Sequence, residues 1–105
     1  MNRATTITLL ELQQDVVTWA DSISPTRMPK DAVVKMVSET SELLDAVLNQ
    51  RDVEGELGDC IILLLDLANM YGVDLVAAGQ RKMFINHNRR WTNEKGVIRR
   101  KKNGH

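Results

Sequence analysis

The chain of 105 residues has little of what stabilises secreted or β-rich folds. Cys60 is its single cysteine, so a disulfide within the chain is excluded. With two prolines and 4% aromatic residues, the core must come from Leu, Ile, Val, Met and Ala, a mixture that favours helices. No apolar run approaches the roughly 20 residues of a membrane span, and no signal core follows the N-terminus. We therefore expect a soluble cytoplasmic protein, in the host cytoplasm if the chain is viral.

Charge of neither sign is in excess, but the charges are unevenly placed. The formal net charge is zero, with fourteen basic and fourteen acidic side chains. Residues 95–102 hold five of the basic ones and no acid: Lys95, Arg99, Arg100, Lys101 and Lys102. The rest of the chain is therefore net acidic, which does not suit a nucleic-acid-binding domain. Nucleic acid is expected as a partner only through the basic end, and a membrane is not expected.

Apolar periodicity and helix-boundary residues predict four helices, at about 8–22, 29–50, 52–71 and 74–91. Pro29 suits a first helical turn, Asp52 and Asp74 are favourable N-caps, and Gly72 supplies a left-handed stop. These elements predict one all-α domain over residues 1–91, an antiparallel four-helix bundle. The polar, basic residues 92–105 are expected to form a mostly mobile tail. A domain this small leaves much surface exposed, so we expect it to oligomerise.

Two pairs of carboxylates on consecutive helices are the most informative pattern. Glu39 and Glu42 are three residues apart and share a face opposite the apolar side of the second helix. Glu56 and Asp59 repeat this spacing on the third helix. Each acid alone is better explained as a solvated surface charge.

The second pair continues the apolar ladder of Leu63 and Leu67, however, and acids on an inward face are costly unless neutralised. A divalent cation neutralises four such acids, and hard carboxylate oxygens select Mg²⁺ or Mn²⁺ rather than zinc.

The fourth helix carries side chains that suit phosphates. Lys82, Asn86 and Arg89 are spaced by four and three residues, which predicts a common face of hydrogen-bond donors. Alternatively, Lys82 and Arg89 extend to the surface and pair with acids of a neighbouring helix. Trp19 is interpreted either as a core residue or as a stacking surface for a base.

Two acidic motifs are separated by thirteen residues: Glu39-Thr40-Ser41-Glu42 and Glu56-Leu57-Gly58-Asp59. This arrangement resembles the signature of the MazG-like all-α NTP pyrophosphatase superfamily. The continuation is similar as well, since Tyr71-Gly72-Val73-Asp74-Leu75 precedes the Lys82, Asn86 and Arg89 pattern. The resemblance extends over residues 19–91. The basic residues from Lys95 onward are not part of the family pattern.

This resemblance implies hydrolysis of a nucleoside or deoxynucleoside triphosphate to the monophosphate and pyrophosphate with Mg²⁺, for which Mn²⁺ could substitute. We expect dGTP or dATP as substrate and a homodimer or homotetramer as the assembly. Glu39, Glu42, Glu56 and Asp59 would bind the metal, and Glu39 or Glu42 would act as the base. The expected substrate ligands are Lys82, Asn86, Arg89 and, on the base side, Trp19.

Two alternatives stay open from the sequence. The enzyme could be a phosphoribosyl-ATP pyrophosphohydrolase of the same superfamily. The chain could also be a non-catalytic helical module that binds a metal, a protein partner, or nucleic acid through its tail. Truncation after Trp91 separates an enzyme from a nucleic-acid-binding module, because the module would lose its nucleic-acid affinity whereas the enzyme would keep its activity.

Overall fold

A computed structural model describes residues 6–101, which form four helices and one β-hairpin. The elements are α1 (Leu9–Ile23), α2 (Pro29–Asn49), α3 (Val53–Met70), α4 (Leu75–His87), β1 (Trp91–Glu94) and β2 (Val97–Arg100). They fall into two compact units that divide between Val73 and Asp74. We call them the helical unit, with α1 to α3, and the C-terminal unit, with α4 and the hairpin.

The helix ends follow the local sequence. The hydroxyl of Thr8 accepts from the N–H of Glu11 at 3.1 Å, and the Glu11 carboxylate accepts from the N–H of Thr8 at 3.0 Å, a complete capping box. Asp52 accepts from the N–H of Gly55 and thereby caps α3. Asp74 caps α4 in the same way, as predicted. Gly72, with φ +63°, provides the left-handed residue between the two helices.

Within the helical unit, α1 and α2 both pack against α3. The buried residues of α2 are Ala32, Glu39 and Ala46, which recur every seven positions. The face that carries the first acid of the sequence motif therefore points inward. The more apolar face of α2 is exposed: Val37 retains 67% and Leu44 58% of its accessible surface. Hydrophobic periodicity alone does not reveal this orientation, since the small alanines rather than the valines make the close contacts.

The apolar run of α3 is less buried than its composition suggests. From residue 61 to 65 every side chain is apolar, which predicts burial on most faces. Leu65 is almost completely buried, but Ile61 and Leu64 are exposed. Among the described residues, no single helix is long and apolar enough to cross a membrane, and only α3 and α4 together, as a bent pair, reach that length and hydropathy.

The C-terminal unit differs from the predicted helix and tail. Its helix ends at His87 instead of the predicted Trp91. Asn88 is the C-cap, and its side-chain Nδ2 donates to the carbonyl oxygen of Phe84 in the last turn. β1 and β2 then pair antiparallel, with Trp91 opposite Arg100.

The turn between the strands contains Lys95 at φ 53° and Gly96 at φ 85°, two positive values as a tight type I′ hairpin requires. The sequence analysis expected no strands here, so the hairpin at residues 91–100 corrects it, while the mobility of the predicted tail, residues 92–105, stays a prediction. Residues 102–105, including Lys102, lie outside the described part of the chain.

Candidate functional site

The packing of α2 against α3 brings three of the four predicted acids together. Carboxylate oxygens of Glu39, Glu56 and Asp59 all lie within 4.8 Å of one another. Glu39 is buried, Glu56 is half-buried and Asp59 is exposed, so the cluster extends from the interior of the helical unit to its surface. We call these three residues the carboxylate cluster. Its geometry offers one oxygen ligand from each residue to a single cation.

Two oxygens of the cluster have no partner. Glu39 Oε2 and Glu56 Oε1 are buried and accept no hydrogen bond within the part of the chain that the structure describes. A buried carboxylate oxygen without a hydrogen bond destabilises a fold, and several negative charges this close repel one another. A divalent cation relieves both costs with the ligand type that Mg²⁺, Ca²⁺ and Mn²⁺ prefer. The residues present therefore fit a hard divalent metal.

Glu42 lies beside the cluster and not within it. Its side chain is exposed. The pKa of Glu42 is raised above its usual value, chiefly because the neighbouring carboxylate of Glu39 disfavours its ionised form. Glu42 is therefore close enough to sense the cluster while remaining accessible to solvent.

Lys35 is a member of the site that the sequence analysis missed. Its Nζ lies 3.0 Å from Oε1 of Glu39, one helical turn further on. This contact lowers the pKa of Glu39, and the same hydrogen bond raises the pKa of Lys35. The four-residue spacing of a lysine and a glutamate was a usable signal for the pair. Lys35 supplies part of the positive charge that the cluster requires.

The predicted phosphate-binding residues belong to the C-terminal unit. Lys82 and Asn86 lie on α4, where Lys82 is exposed and Asn86 half-buried. Arg89, also half-buried, lies beyond the end of the helix, and its N–H bonds the carbonyl oxygen of Asn86 at 3.2 Å. The expected single helical face therefore includes only Lys82 and Asn86, because α4 ends before Arg89. The roles of all three in substrate binding stay predictions.

Trp19 is not a core residue, since 57% of its surface is exposed. It lines a cavity of about 200 Å³ in the helical unit. The other lining residues come from α1, from the α1–α2 connector and from α3: Val16, Ala20, Ile23, Ser24, Arg27, Ile62, Leu63 and Asp66. The interpretation of Trp19 as a core side chain is wrong for this chain. The alternative, a surface for the base, stays a prediction.

An ion pair at this cavity was also missed. Nε and Nη2 of Arg27 donate to the two carboxylate oxygens of buried Asp66 at 2.7 and 2.6 Å. Nη1 donates to Asp21 at 2.7 Å. The hydrogen bonds to Asp66 first, and then to Asp21, raise the pKa of Arg27 further above its ordinary value. The pair fixes the α1–α2 connector to α3. A lone acid between Leu65 and Leu67 was the available signal for a buried partner.

Two phage proteins resemble this chain in sequence. No family model matches the chain. A dATP/dGTP diphosphohydrolase of cyanophage S-2L is 33% identical over 93 residues, which are 88% of this chain and 87% of the relative. A dATP/dGTP diphosphohydrolase of Salmonella phage PMBT28 is 37% identical over 89 residues, and the match spans 28% of that longer protein.

A solved structure gives the same result for the fold. It is the MazG-like pyrophosphohydrolase of cyanophage S-2L bound to dGDP and three catalytic Mn²⁺ ions per active site. The two structures agree with a TM-score of 0.82 at 34% identity, over 92% of this chain and all of the other.

The chain belongs to the MazG-like, phage-type nucleoside triphosphate pyrophosphohydrolases. The family resemblance, the all-α MazG-like fold and the enzyme class, a hydrolase of nucleotide pyrophosphate bonds, are confirmed.

Proposed function

We propose that this enzyme hydrolyses the purine deoxynucleotides dGTP and dATP to their monophosphates and pyrophosphate, with Mg²⁺ as the metal and Mn²⁺ able to substitute. The observation that carries the proposal is the carboxylate cluster with its two unpartnered buried oxygens. The naming of two relatives as dATP/dGTP diphosphohydrolases supports the purine substrates over phosphoribosyl-ATP. The dGDP and Mn²⁺ of the solved neighbour support a metal-dependent nucleotide site over a non-catalytic module.

In this proposal Glu39, Glu56 and Asp59 hold the metal, and Glu42 completes the set from the edge. A divalent cation bound there would supply Lewis-acid activation of water and of the phosphate. Glu42 is the better candidate for accepting the proton of the attacking water, because it is exposed. Oε1 of Glu39 already accepts from Lys35, which makes Glu39 the weaker candidate.

Substrate binding divides between a base side and a phosphate side. The cavity beside Trp19 is smaller than the roughly 300 Å³ at which pockets for whole ligands begin, and therefore suits one ring system. Its apolar walls and the exposed indole of Trp19 favour stacking with a purine. Lys82, Asn86 and Arg89 would bind the triphosphate, because they present donors without negative charge. Arg27 keeps the connector in place through Asp66.

The assembly is proposed to be a homodimer or homotetramer. The outer face of α2, formed by Val33, Val34, Val37, Leu44 and Leu48, is exposed and apolar, as subunit interfaces are. A second copy covering this face would bury the valines that a single chain leaves in water. The double variant Val37→Glu/Leu44→Glu should sediment as a monomer, whereas Lys30→Glu should sediment as the wild type does. A monomeric wild type would refute the oligomer.

The test of the activity is incubation with each of the common ribonucleoside and deoxynucleoside triphosphates and Mg²⁺, with products resolved by chromatography. We expect dGMP and dAMP, each accompanied by pyrophosphate. Stepwise release of inorganic phosphate, or a preference for pyrimidines, would refute the assignment. Glu42→Gln should abolish turnover while the helical circular dichroism persists, and normal turnover would remove Glu42 from the chemistry.

A further inference from the structure

The β-hairpin is the charged feature that the proposed hydrolysis does not use. Five cationic side chains belong to it and to its two flanking residues: Arg90, Lys95, Arg99, Arg100 and Lys101. Its one acid is Glu94. We call residues 90–101 the basic hairpin. All residues of both strands are exposed, so these charges are available to a partner.

The cations surround the hairpin instead of sharing one face. Arg99 pairs with Thr92, and Arg100 pairs with Trp91. Because neighbouring residues of a strand point to opposite faces, the two arginines lie on opposite sides of the ribbon. Lys95 is in the turn at its tip. At the other end, the N–H of Lys101 donates to the carbonyl oxygen of Arg90 at 2.8 Å, which places these two residues together.

Four of these cations are free to bind anions. Nε of Arg99 lies 3.1 Å from Oε1 of Glu94 and is partly neutralised. Arg90, Lys95, Arg100 and Lys101 take part in no ion pair within residues 6–101. A narrow ribbon with positive charge on both faces and at both ends is complementary to a cleft with two negative walls.

We propose that the basic hairpin binds in the major groove of duplex DNA. That groove admits a two-stranded ribbon, and phosphates line both of its sides. The two strands of the hairpin lie about 5 Å apart, so the ribbon is narrow enough to enter a groove about 12 Å wide. An anionic membrane would contact one face only and leave one arginine unused. Proteins that bind single-stranded DNA stack its bases on free aromatic side chains. The one aromatic residue of the hairpin, Trp91, is not free in this way, because its Nε1 donates to the carbonyl oxygen of Asn86 at 2.7 Å.

The direct test is a salt titration of binding to labelled duplex DNA, measured by fluorescence anisotropy with the full chain. Four to five phosphate contacts predict a slope of log K against log salt of about −4. Arg99→Gln/Arg100→Gln/Lys101→Gln should reduce the slope to about −2 and weaken low-salt binding at least about tenfold. The matched control Lys30→Gln/Arg51→Gln/Arg81→Gln removes the same charge elsewhere and should bind as the wild type does. Equal binding by the hairpin variant, or equal weakening by the control, overturns the proposal.

Two further comparisons test the ribbon and the choice of partner. Gly96→Val keeps every charge but strains the left-handed turn residue, so it should weaken duplex binding. Single-stranded DNA of the same length and vesicles of phosphatidylserine and phosphatidylcholine should bind more weakly than the duplex. Full binding by Gly96→Val, or tighter binding to either competitor, overturns the groove assignment.

Hydrolysis of dGTP is a separate readout for the same variants. The hairpin triple variant should retain wild-type turnover, because none of its residues is assigned to the active site. If the triple variant loses both turnover and DNA binding, the substitutions disrupt the C-terminal unit. That result would overturn the proposal of an independent binding surface. An inactive wild type that binds duplex DNA with the expected slope would refute only the proposed hydrolysis.

Discussion

The two units of the chain carry opposite charges. Residues 1–73 contain twelve acidic and five basic side chains, a net charge of −7. Residues 74–105 contain nine basic and two acidic ones, a net charge of +7. The neutral total conceals a unit that offers oxygen ligands to cations and a unit that offers donors to anions. In the proposed function, the acidic unit would hold the metal and the basic unit would bind the triphosphate.

The units also differ in burial. All buried residues of the described chain belong to the helical unit, whereas α4 and both strands contain none. Stability is therefore expected to depend on substitutions in the helical unit much more than on substitutions in the C-terminal unit.

The largest expected effect is loss of turnover when the carboxylate cluster is changed. Glu39→Gln and Glu56→Gln should each reduce kcat by more than about a hundredfold. Replacing a residue that only hydrogen-bonds to a metal ligand already reduces activity by up to about a hundredfold, and these two residues would bind the metal directly. Glu54→Gln, which changes an exposed acid on the same helix as Glu56, is the matched control and should leave kcat unchanged. Because Glu56 lies among repelling carboxylates and has an unpartnered oxygen, Glu56→Gln should melt no lower than the wild type. Activity within twofold of the wild type would remove the cluster from the mechanism.

The next effect is on stability within the helical unit. Arg27→Met leaves the buried Asp66 carboxylate without its partner and should lower the free energy of unfolding by about 3 kcal/mol. Glu94→Gln removes the exposed ion pair of the C-terminal unit and should cost less than about 1 kcal/mol. Urea denaturation measures both. Equal losses would show that the contrast in burial does not govern stability.

Arg89→Ala tests the role of the basic unit in binding the triphosphate. A lost charged hydrogen bond is equivalent to an increase in KM of about tenfold or more. The neighbouring exposed residue provides the control, since Arg90→Ala should leave KM for dGTP unchanged. If the two variants have the same kinetics, the phosphate-binding assignment is wrong.

The smallest effect concerns the cation within the acidic unit. The positive charge of Lys35, at Oε1 of Glu39, would repel a bound cation, so Lys35→Met should tighten Mn²⁺ binding by about threefold. Lys30→Met, a change of an exposed lysine five residues earlier, should leave the affinity unchanged. Isothermal titration calorimetry decides between them, and weaker binding by Lys35→Met would mean that Lys35 supports the site.

Local rules explain what the sequence predicts correctly. The roles of Asp52, Asp74 and Gly72 depend on residues a few positions away, so the local sequence is enough to predict them. The spacing of Glu56 and Asp59 fixes their common face once α3 is a helix. Their proximity to Glu39 needed only the packing of two consecutive helices.

Features that depend on distant partners were not predictable in this way. The inward orientation of Glu39 depends on the small side chains of Ala32 and Ala46, which let α2 approach α3. The pair of Arg27 with Asp66 joins residues 39 positions apart. The hairpin was missed because its type I′ turn contains Lys95 before Gly96, and lysine lacks the usual preference for positive φ.

The central claim is that the carboxylate cluster of the helical unit binds the divalent cation. Titration of Mn²⁺ into the wild type, Glu56→Gln and Glu54→Gln, followed by calorimetry, tests it most directly. The account predicts equal binding by the wild type and Glu54→Gln, and a loss of at least about tenfold in affinity for Glu56→Gln. Equal Mn²⁺ affinity in all three proteins would contradict it.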